Sequence, residues 1–272
     1  MTKNTLITFL LLTFLSMSAG AQRYGVPNLR EYDYEPYHFG FLLAINRMDF
    51  SIKQDWASIN SSNTYNQISG MPQQVNDIPV NGKLTSIITS PSALFTIGLV
   101  GSLRLSDNFD LRCTPSLSFG STSLKYNLEL LNATTSINEG LYIFTKTRST
   151  TFIELPVMLR FSGARIQNTR PFIETGLKYL YDFSPDPTSL SSGTRSIDDP
   201  HKMLLKRSDL QGVMGLGFDF YFAWFKMGVD ATMSYGFNDI LDRDPVLGDV
   251  PFSTSSITSL KSKVFQLSVT FE

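Results

Sequence analysis

Charge is scarce in this chain. Of its 272 residues, 17% are Asp, Glu, Lys or Arg, against roughly 25% in an ordinary soluble domain. The 23 basic and 24 acidic side chains leave a formal net charge of −1, which excludes the basic footprint that a nucleic-acid partner requires. A single Cys excludes a disulfide scaffold or a Cys-based zinc module. Only two His are present. The missing charge is replaced by Ser, Thr and Asn, beside 21 Phe and 11 Tyr. That apolar and aromatic content is too high for a disordered chain. Long hydrophobic runs are also missing: after the first twenty residues, no stretch approaches the length of a membrane-spanning helix.

The N-terminus points to export. Lys3 precedes an apolar run from Leu6 to Met17, followed by Ser18-Ala19-Gly20-Ala21. A charged start, a short apolar stretch and an A-x-A site define a secretory signal peptide over residues 1–21, with the mature chain beginning at Gln22. The run falls short of the ~20 residues a helical anchor needs. Residues 22–37 are expected to form a periplasmic segment available to partners.

From there on the dominant pattern has a period of 2, not 3.6. Between 93 and 105, Phe95, Ile97, Leu99, Leu103 and Leu105 alternate with Thr96, Gly98, Ser102 and Arg104. The same rule holds over 109–120 (Phe109, Leu111, Cys113, Leu117, Phe119), 151–161 (Ile153, Leu155, Val157, Leu159, Phe161) and 171–183 (Ile173, Leu177, Tyr179, Tyr181, Phe183). It returns over 209–222, 225–237 and 263–271. An earlier run, 39–45, carries Phe39, Phe41, Leu43 and Ile45; its apolar parity flips at Met48, Phe50 and Ile52, which suggests a bulge near Asn46 and Arg47.

These runs read as eight strands, and their connections alternate in length. Short links lie at 106–108, 162–169 and 222–224, and long ones at about 53–90, 128–147, 184–207 and 238–258. The fold expected is all-β: an eight-stranded antiparallel transmembrane β-barrel over residues 38–272, with short periplasmic turns and long extracellular loops in a Gram-negative outer membrane. Aromatics at strand ends, such as Tyr179, Phe183, Tyr235 and Phe237, match an interfacial girdle. Outer-membrane lipid and lipopolysaccharide would surround it.

Candidate chemistry is thin. His38 has inward parity, and His201 lies in an Asp-Asp-Pro-His loop near Ser208 and Asp209. Sequence cannot place a nucleophile against a base, so no catalytic residue is assigned. Asn238, Asp239, Asp242, Asp244 and Asp249 lack the spacing of a calcium loop, so no metal site is assigned either. No cofactor is expected. Arg104, Asp110, Arg112, Glu154, Arg160, Glu174, Lys178, Asp219, Lys226 and Asp230 all carry inward parity with both signs mixed. Charges facing a narrow lumen must pair to offset desolvation, so these ten are expected to form a structural ion-pair network filling it.

Two stretches resemble a known family. Tyr32-Asp33-Tyr34-Glu35-Pro36-Tyr37-His38-Phe39-Gly40-Phe41, running on to Ile45-Asn46-Arg47-Met48-Asp49-Phe50, is similar to the opening of the PorT family. Phe152-Ile153-Glu154-Leu155-Pro156-Val157-Met158-Leu159-Arg160-Phe161, with Arg170-Pro171-Phe172, resembles its central hairpin. The resemblance implies an eight-stranded outer-membrane protein required by the type IX secretion system, working with other proteins of that machinery. Where cells glide, it also implies a part in motility. The family has no assigned active site, so the resemblance points to a non-enzymatic barrel. A second function class also fits the strand pattern: a surface adhesin or structural barrel that binds an extracellular ligand through its loops.

Overall fold

Period-2 alternation becomes strand because each face of a pleated segment meets one environment. The computed structural model describes residues 28–55, 64–65, 74–76, 78–184, 188–191, 194–197, 205–242 and 257–272. The signal peptide, His201, Asp244 and Asp249 lie outside the described residues. The strands are β1 (Tyr37–Gln54), β2 (Thr64–Tyr65), β3 (Gln74–Val75), β4 (Ile78–Ser90), β5 (Ser92–Arg104), β6 (Phe109–Cys113) and β7 (Ser116–Asn132). They continue with β8 (Asn138–Ser162), β9 (Thr169–Asp182), β10 (Thr188–Ser191), β11 (Thr194–Ile197), β12 (Ser208–Tyr221), β13 (Lys226–Gly236) and β14 (Ile257–Phe271).

Twelve of these strands share one antiparallel sheet, and β10–β11 form a separate hairpin. The main pairings run β1–β5, β5–β7, β7–β8, β8–β9, β9–β12, β12–β13, β13–β14 and β14–β1. Strand β1 is thus hydrogen-bonded along both edges: Phe41 faces Phe271 on one side and Leu99 on the other. β4 and β5 are separated by Pro91 alone, and β6 and β7 by Thr114 and Pro115. Proline has no N–H to donate, so each ladder breaks there while the chain runs on in the same direction. Across the second break Pro115 still accepts from Leu99 N at 2.9 Å.

Three expectations are corrected. First, there is no bulge at Asn46 and Arg47. β1 keeps its register with β14 until a shift at Lys53/Gln54, and its even-numbered residues Leu42 to Phe50 point inward throughout. Second, residues 128–147 are not a long loop. β7 and β8 continue as one hairpin pairing Leu128 with Tyr142 and closing between Asn132 and Asn138. The Asn132 side chain accepts the N–H groups of Thr134 and Thr135 at 2.9 and 3.0 Å, which fixes the turn. Third, the supposed loop at 53–90 contains all of β4, which pairs with β7.

The parity that looked like a bulge marks an exchange of the apolar face, from outward to inward. Over β5, β6, the start of β7 and the end of β8, the outward residues are apolar and exposed: Phe95, Ile97, Leu99, Leu111, Leu117, Phe119, Leu155 and Val157. The inward ones are Thr96, Ser102, Arg112, Ser118, Glu154 and Arg160, all buried. Further along the same strands the roles exchange. Leu124, Tyr126, Leu128 and Leu130 are buried inward, while Ser123, Lys125, Asn127 and Glu129 alternate with them on the outside. The inward set joins Met48, Phe50, Val80, Leu84, Ile87, Leu260 and Val264, and Leu205, Ile240 and Leu241 from the connections, in one apolar core. Strand length agrees: β8 has 25 residues, where a tilted transmembrane strand needs about 9–11. The sheet therefore has two storeys: one is apolar outside and polar inside; the other is mainly polar outside, with Ile88, Leu141 and Ile143 exposed among its polar residues, and encloses the apolar core together with buried Lys146, Arg148 and Asp182.

Candidate functional site

The three short turns, 105–108, 163–168 and 222–225, meet the chain's N-terminal segment and Glu272 at one end of the sheet. The first of these turns is tight because Leu105 N and Ser106 N both donate to Phe109 O. Inside this end lies the charged lattice. Arg160 donates to Glu174 at 2.9 Å and reaches Asp219 at 3.4 Å, with its guanidinium 3.5 Å from the centroid of the Phe172 ring. Lys178 pairs with Glu154 at 3.1 Å. Lys226 lies 2.7 Å from Glu272 and 3.9 Å from Asp219. Arg112 meets the other oxygen of Glu272 at 2.7 Å. Small inward residues leave room for these groups: a Cβ on Gly217 would stand 2.4 Å from Val229 O and 2.8 Å from the Asp230 side chain.

Of the ten inward charges expected to pair, the structure brings Arg112, Glu154, Arg160, Glu174, Lys178, Asp219 and Lys226 into direct ion pairs. Asp230 instead accepts from the Ser268 hydroxyl at 2.5 Å, and Asp110 lies 3.5 Å from the Ser162 hydroxyl. Arg104 is a correction: it ends β5, leaves the lumen and pairs with Asp107 in the adjoining turn at 2.5 Å. Parity at the last residue of a strand does not predict direction, because the turn re-aims it. Sequence reasoning missed Glu272, whose side chain is fully buried. Its inward parity in step with Ser268 and Thr270 was the available signal. It also missed Arg148–Asp182, paired at 3.0 Å among the apolar storey's buried side chains. The space among Arg112, Glu154, Glu174, Lys178 and Asp230 amounts to about 20 Å³, room for about one water molecule.

Residues 28–36 fold across the turn end and are fastened there. Asn28 donates twice: its N–H to Asn168 Oδ1 at 2.8 Å and its side-chain amide to Tyr221 O, at the end of β12, at 3.0 Å. A 3-10 turn, Tyr32–Tyr34, then puts Tyr32 and Asp33 side by side under the lattice. Tyr32 stacks on His38 at 4.0 Å and donates to Glu272 at 3.1 Å. Burial and the Glu272 carboxylate push the Tyr32 phenol far above its usual value, so it remains a donor. Asp33 accepts from the Tyr221 hydroxyl at 2.6 Å and pairs with Arg165 and Arg170 at 3.3 and 3.5 Å. Tyr32→Phe deletes a hydrogen bond to a buried carboxylate, which is worth about 1.5–3 kcal/mol. It should raise hydrogen exchange in residues 28–36 while the strands stay protected, as read by mass spectrometry of the protein in detergent.

The remaining candidates are scattered. His38 is engaged by Tyr32 and lies 3.9 Å from Glu35. Ser208 is exposed, whereas Asp209 points inward and accepts from Gln211 and Ser262. Asp239 accepts two backbone N–H groups, those of Leu241 and Leu260. Among the described residues no group of His, Cys, Asp and Glu is arranged to hold a metal ion. Cys113 is a free thiol on the outward face of β6.

An antiparallel sheet with an apolar outer face, a charged inner face and short turns gathered at one end defines the class of outer-membrane β-barrel proteins. Residues 37–242 match the family described as outer membrane protein beta-barrel domain, and the chain belongs to it. No curated protein matches the chain. Solved structures similar to it include Neisserial surface protein A, at 9% identity over 87% of this chain and 98% of that one, with a TM-score of 0.38. Ail, the attachment invasion locus protein of Yersinia pestis, is similar at 11% identity over 87% and 98%, with a TM-score of 0.30. The outer membrane protease OmpT from Escherichia coli is similar at 8% identity over 87% and 95%, with a TM-score of 0.35.

Proposed function

We propose that the chain is a closed, eight-stranded, non-enzymatic barrel that supports assembly or operation of type IX secretion, and gliding motility in cells that glide. On this reading residues 1–21 direct export and are removed before Gln22. The short turns and residues 28–36 face the periplasm, and the apolar-cored storey stands above the membrane surface. Ring closure is supported by the pairing of β1 with both β5 and β14. The secretory role rests on one observation. The stretch from Tyr32 to Phe50 that resembles the PorT family supplies Tyr32, Asp33 and His38, three of the residues that fasten the N-terminal segment across the turn end of the sheet. A barrel whose lumen is filled by ion pairs and whose mouth is tied shut suits a scaffold rather than a conduit.

In-frame deletion of the gene should trap a reporter carrying a type IX C-terminal signal inside the cell envelope, and a plasmid copy should restore its release. Secretion at the parental level would overturn the role and favour the loop-borne adhesin reading.

A further inference from the structure

We propose that the periplasmic mouth carries a guanidinium-lined cleft that binds a carboxylate-bearing peptide segment of a periplasmic partner. The inference takes its orientation from the barrel reading above and does not depend on the secretory role. The cleft lies between the N-terminal segment and the turns at 105–108 and 163–168, and has a volume of about 610 Å³. That is within the ~300–1,000 Å³ of sites that hold an organic ligand rather than a single ion.

Its charged lining is unbalanced: Arg30, Arg104, Arg165 and Arg170 stand against Asp33 and Asp107. Three of these guanidinium groups are held largely by main-chain carbonyls, which carry no formal charge. Arg104 donates to Ser106 O and Tyr34 O at 3.3 and 3.2 Å. Arg165 donates to Gln167 O at 2.9 Å, Leu29 O at 3.2 Å and Asn28 O. Arg170 donates to Gly163 O at 2.9 Å and Asp107 O at 2.8 Å. Arg104, Arg165 and Arg170 are therefore fixed in position, with two carboxylates set against three guanidinium groups, which lowers the ordering cost of capturing an anion. Asp33 is shared between two arginines and Tyr221, and Asp107 is taken by Arg104, so neither carboxylate reaches Arg30. Arg30 is exposed and has no hydrogen bond or ion pair among the described residues.

The form of the cleft selects the partner. The outward apolar residues beside it, Leu103, Leu105, Phe109 and Leu111, do not line it, so its wall is separate from the apolar outer face of the sheet. At its rim the Tyr34 ring is 70% exposed, with the Arg104 guanidinium 5.3 Å from its centroid. An aromatic face beside fixed guanidinium groups suits a peptide that carries both carboxylates and apolar side chains.

The test uses the full mature chain in nanodiscs of zwitterionic lipid and a short fluorescein-labelled peptide of alternating Glu and Leu, followed by anisotropy. The Glu peptide should bind about ten-fold more tightly than its Gln counterpart, and binding should weaken as salt is raised. Arg30→Glu, at an exposed position with no structural tie, should cost the Glu peptide about ten-fold while leaving heat-modifiable migration unchanged. Equal binding of the two peptides would overturn the proposal, as would indifference to Arg30→Glu. So would complete displacement of the peptide by inorganic phosphate or by phosphatidylglycerol vesicles, which would make the cleft a phosphate site. These are binding measurements on the isolated protein, so their failure is separate from a failure of the secretion assay.

Discussion

Arg160→Met is expected to destabilise the barrel by about 3–5 kcal/mol, the cost of removing one partner from a buried ionic cluster. Arg160 is 2% exposed and compensates two carboxylates at once, Glu174 at 2.9 Å and Asp219 at 3.4 Å. Without it Asp219 keeps only Lys226, at 3.9 Å, and Glu174 has no other ion pair among the described residues. Methionine keeps the apolar stem but lacks the guanidinium that covers the Phe172 ring, so the loss combines the uncompensated carboxylates with the space left beside that ring. Urea unfolding of the protein in lipid vesicles, followed by Trp fluorescence, measures the loss. Adding Glu174→Gln to Arg160→Met should recover part of it, since one uncompensated charge is then removed. Arg160→Lys should fall between, keeping the charge but losing the fork that reaches both acids. Stability within about 1 kcal/mol of the parent would show that the lattice does not hold the lumen together, since breaking a buried pair costs several times that.

The lattice was legible in part because inward parity is a strong signal wherever one strand face meets lipid. Arg112, Glu154, Arg160, Glu174, Lys178, Asp219 and Lys226 could be placed on the inner face from alternation alone. Which acid meets which base could not. Arg160 and Asp219 are 59 residues apart, and their meeting depends on the register of three neighbouring strands. The N-terminal tie was illegible for the same reason. Asp33 reads as a polar residue before a strand until the turn at 163–168 brings Arg165 to it. The two-storey plan was hidden by a different cause. Leu124, Tyr126, Leu128 and Leu130 alternate with Lys125, Asn127 and Glu129 as regularly as any transmembrane run. Their parity is opposite to that of Leu117 and Phe119, and a rule that assumes one solvent per strand reads the change as a slip at Asn46 or as a loop at 128–147. We read the change as one of the medium outside, from lipid to water, since the strand keeps its register while its apolar residues move from the outer to the inner face.

That reading makes an expectation for one side chain. Leu128 is 0% exposed within the apolar core, and Leu128→Ala should cost about 2–5 kcal/mol, as for a buried leucine in a water-soluble protein. Leu155→Ala, at an outward position 46% exposed, should cost much less, because lipid chains refill the space that protein cannot. A topological arm separates this from simple sensitivity to mutation. In a Cys113→Ala background, Lys125→Cys should react with a membrane-impermeant maleimide on intact cells, and Phe119→Cys should not. The two positions lie on the same face of β7, about 20 Å apart along the strand, and share its outward parity. If Phe119 and Lys125 were both within the bilayer, neither would label and the exposed lysine would carry a cost of several kcal/mol with no compensation. If both labelled, the apolar belt would have to sit lower than Phe119, leaving Phe95, its partner across the ladder, in water as well. Reaction at 125 alone, together with a large loss for Leu128→Ala, places the membrane boundary between the belt and the core, where the outward residues turn from Phe119 to Ser121 and Ser123.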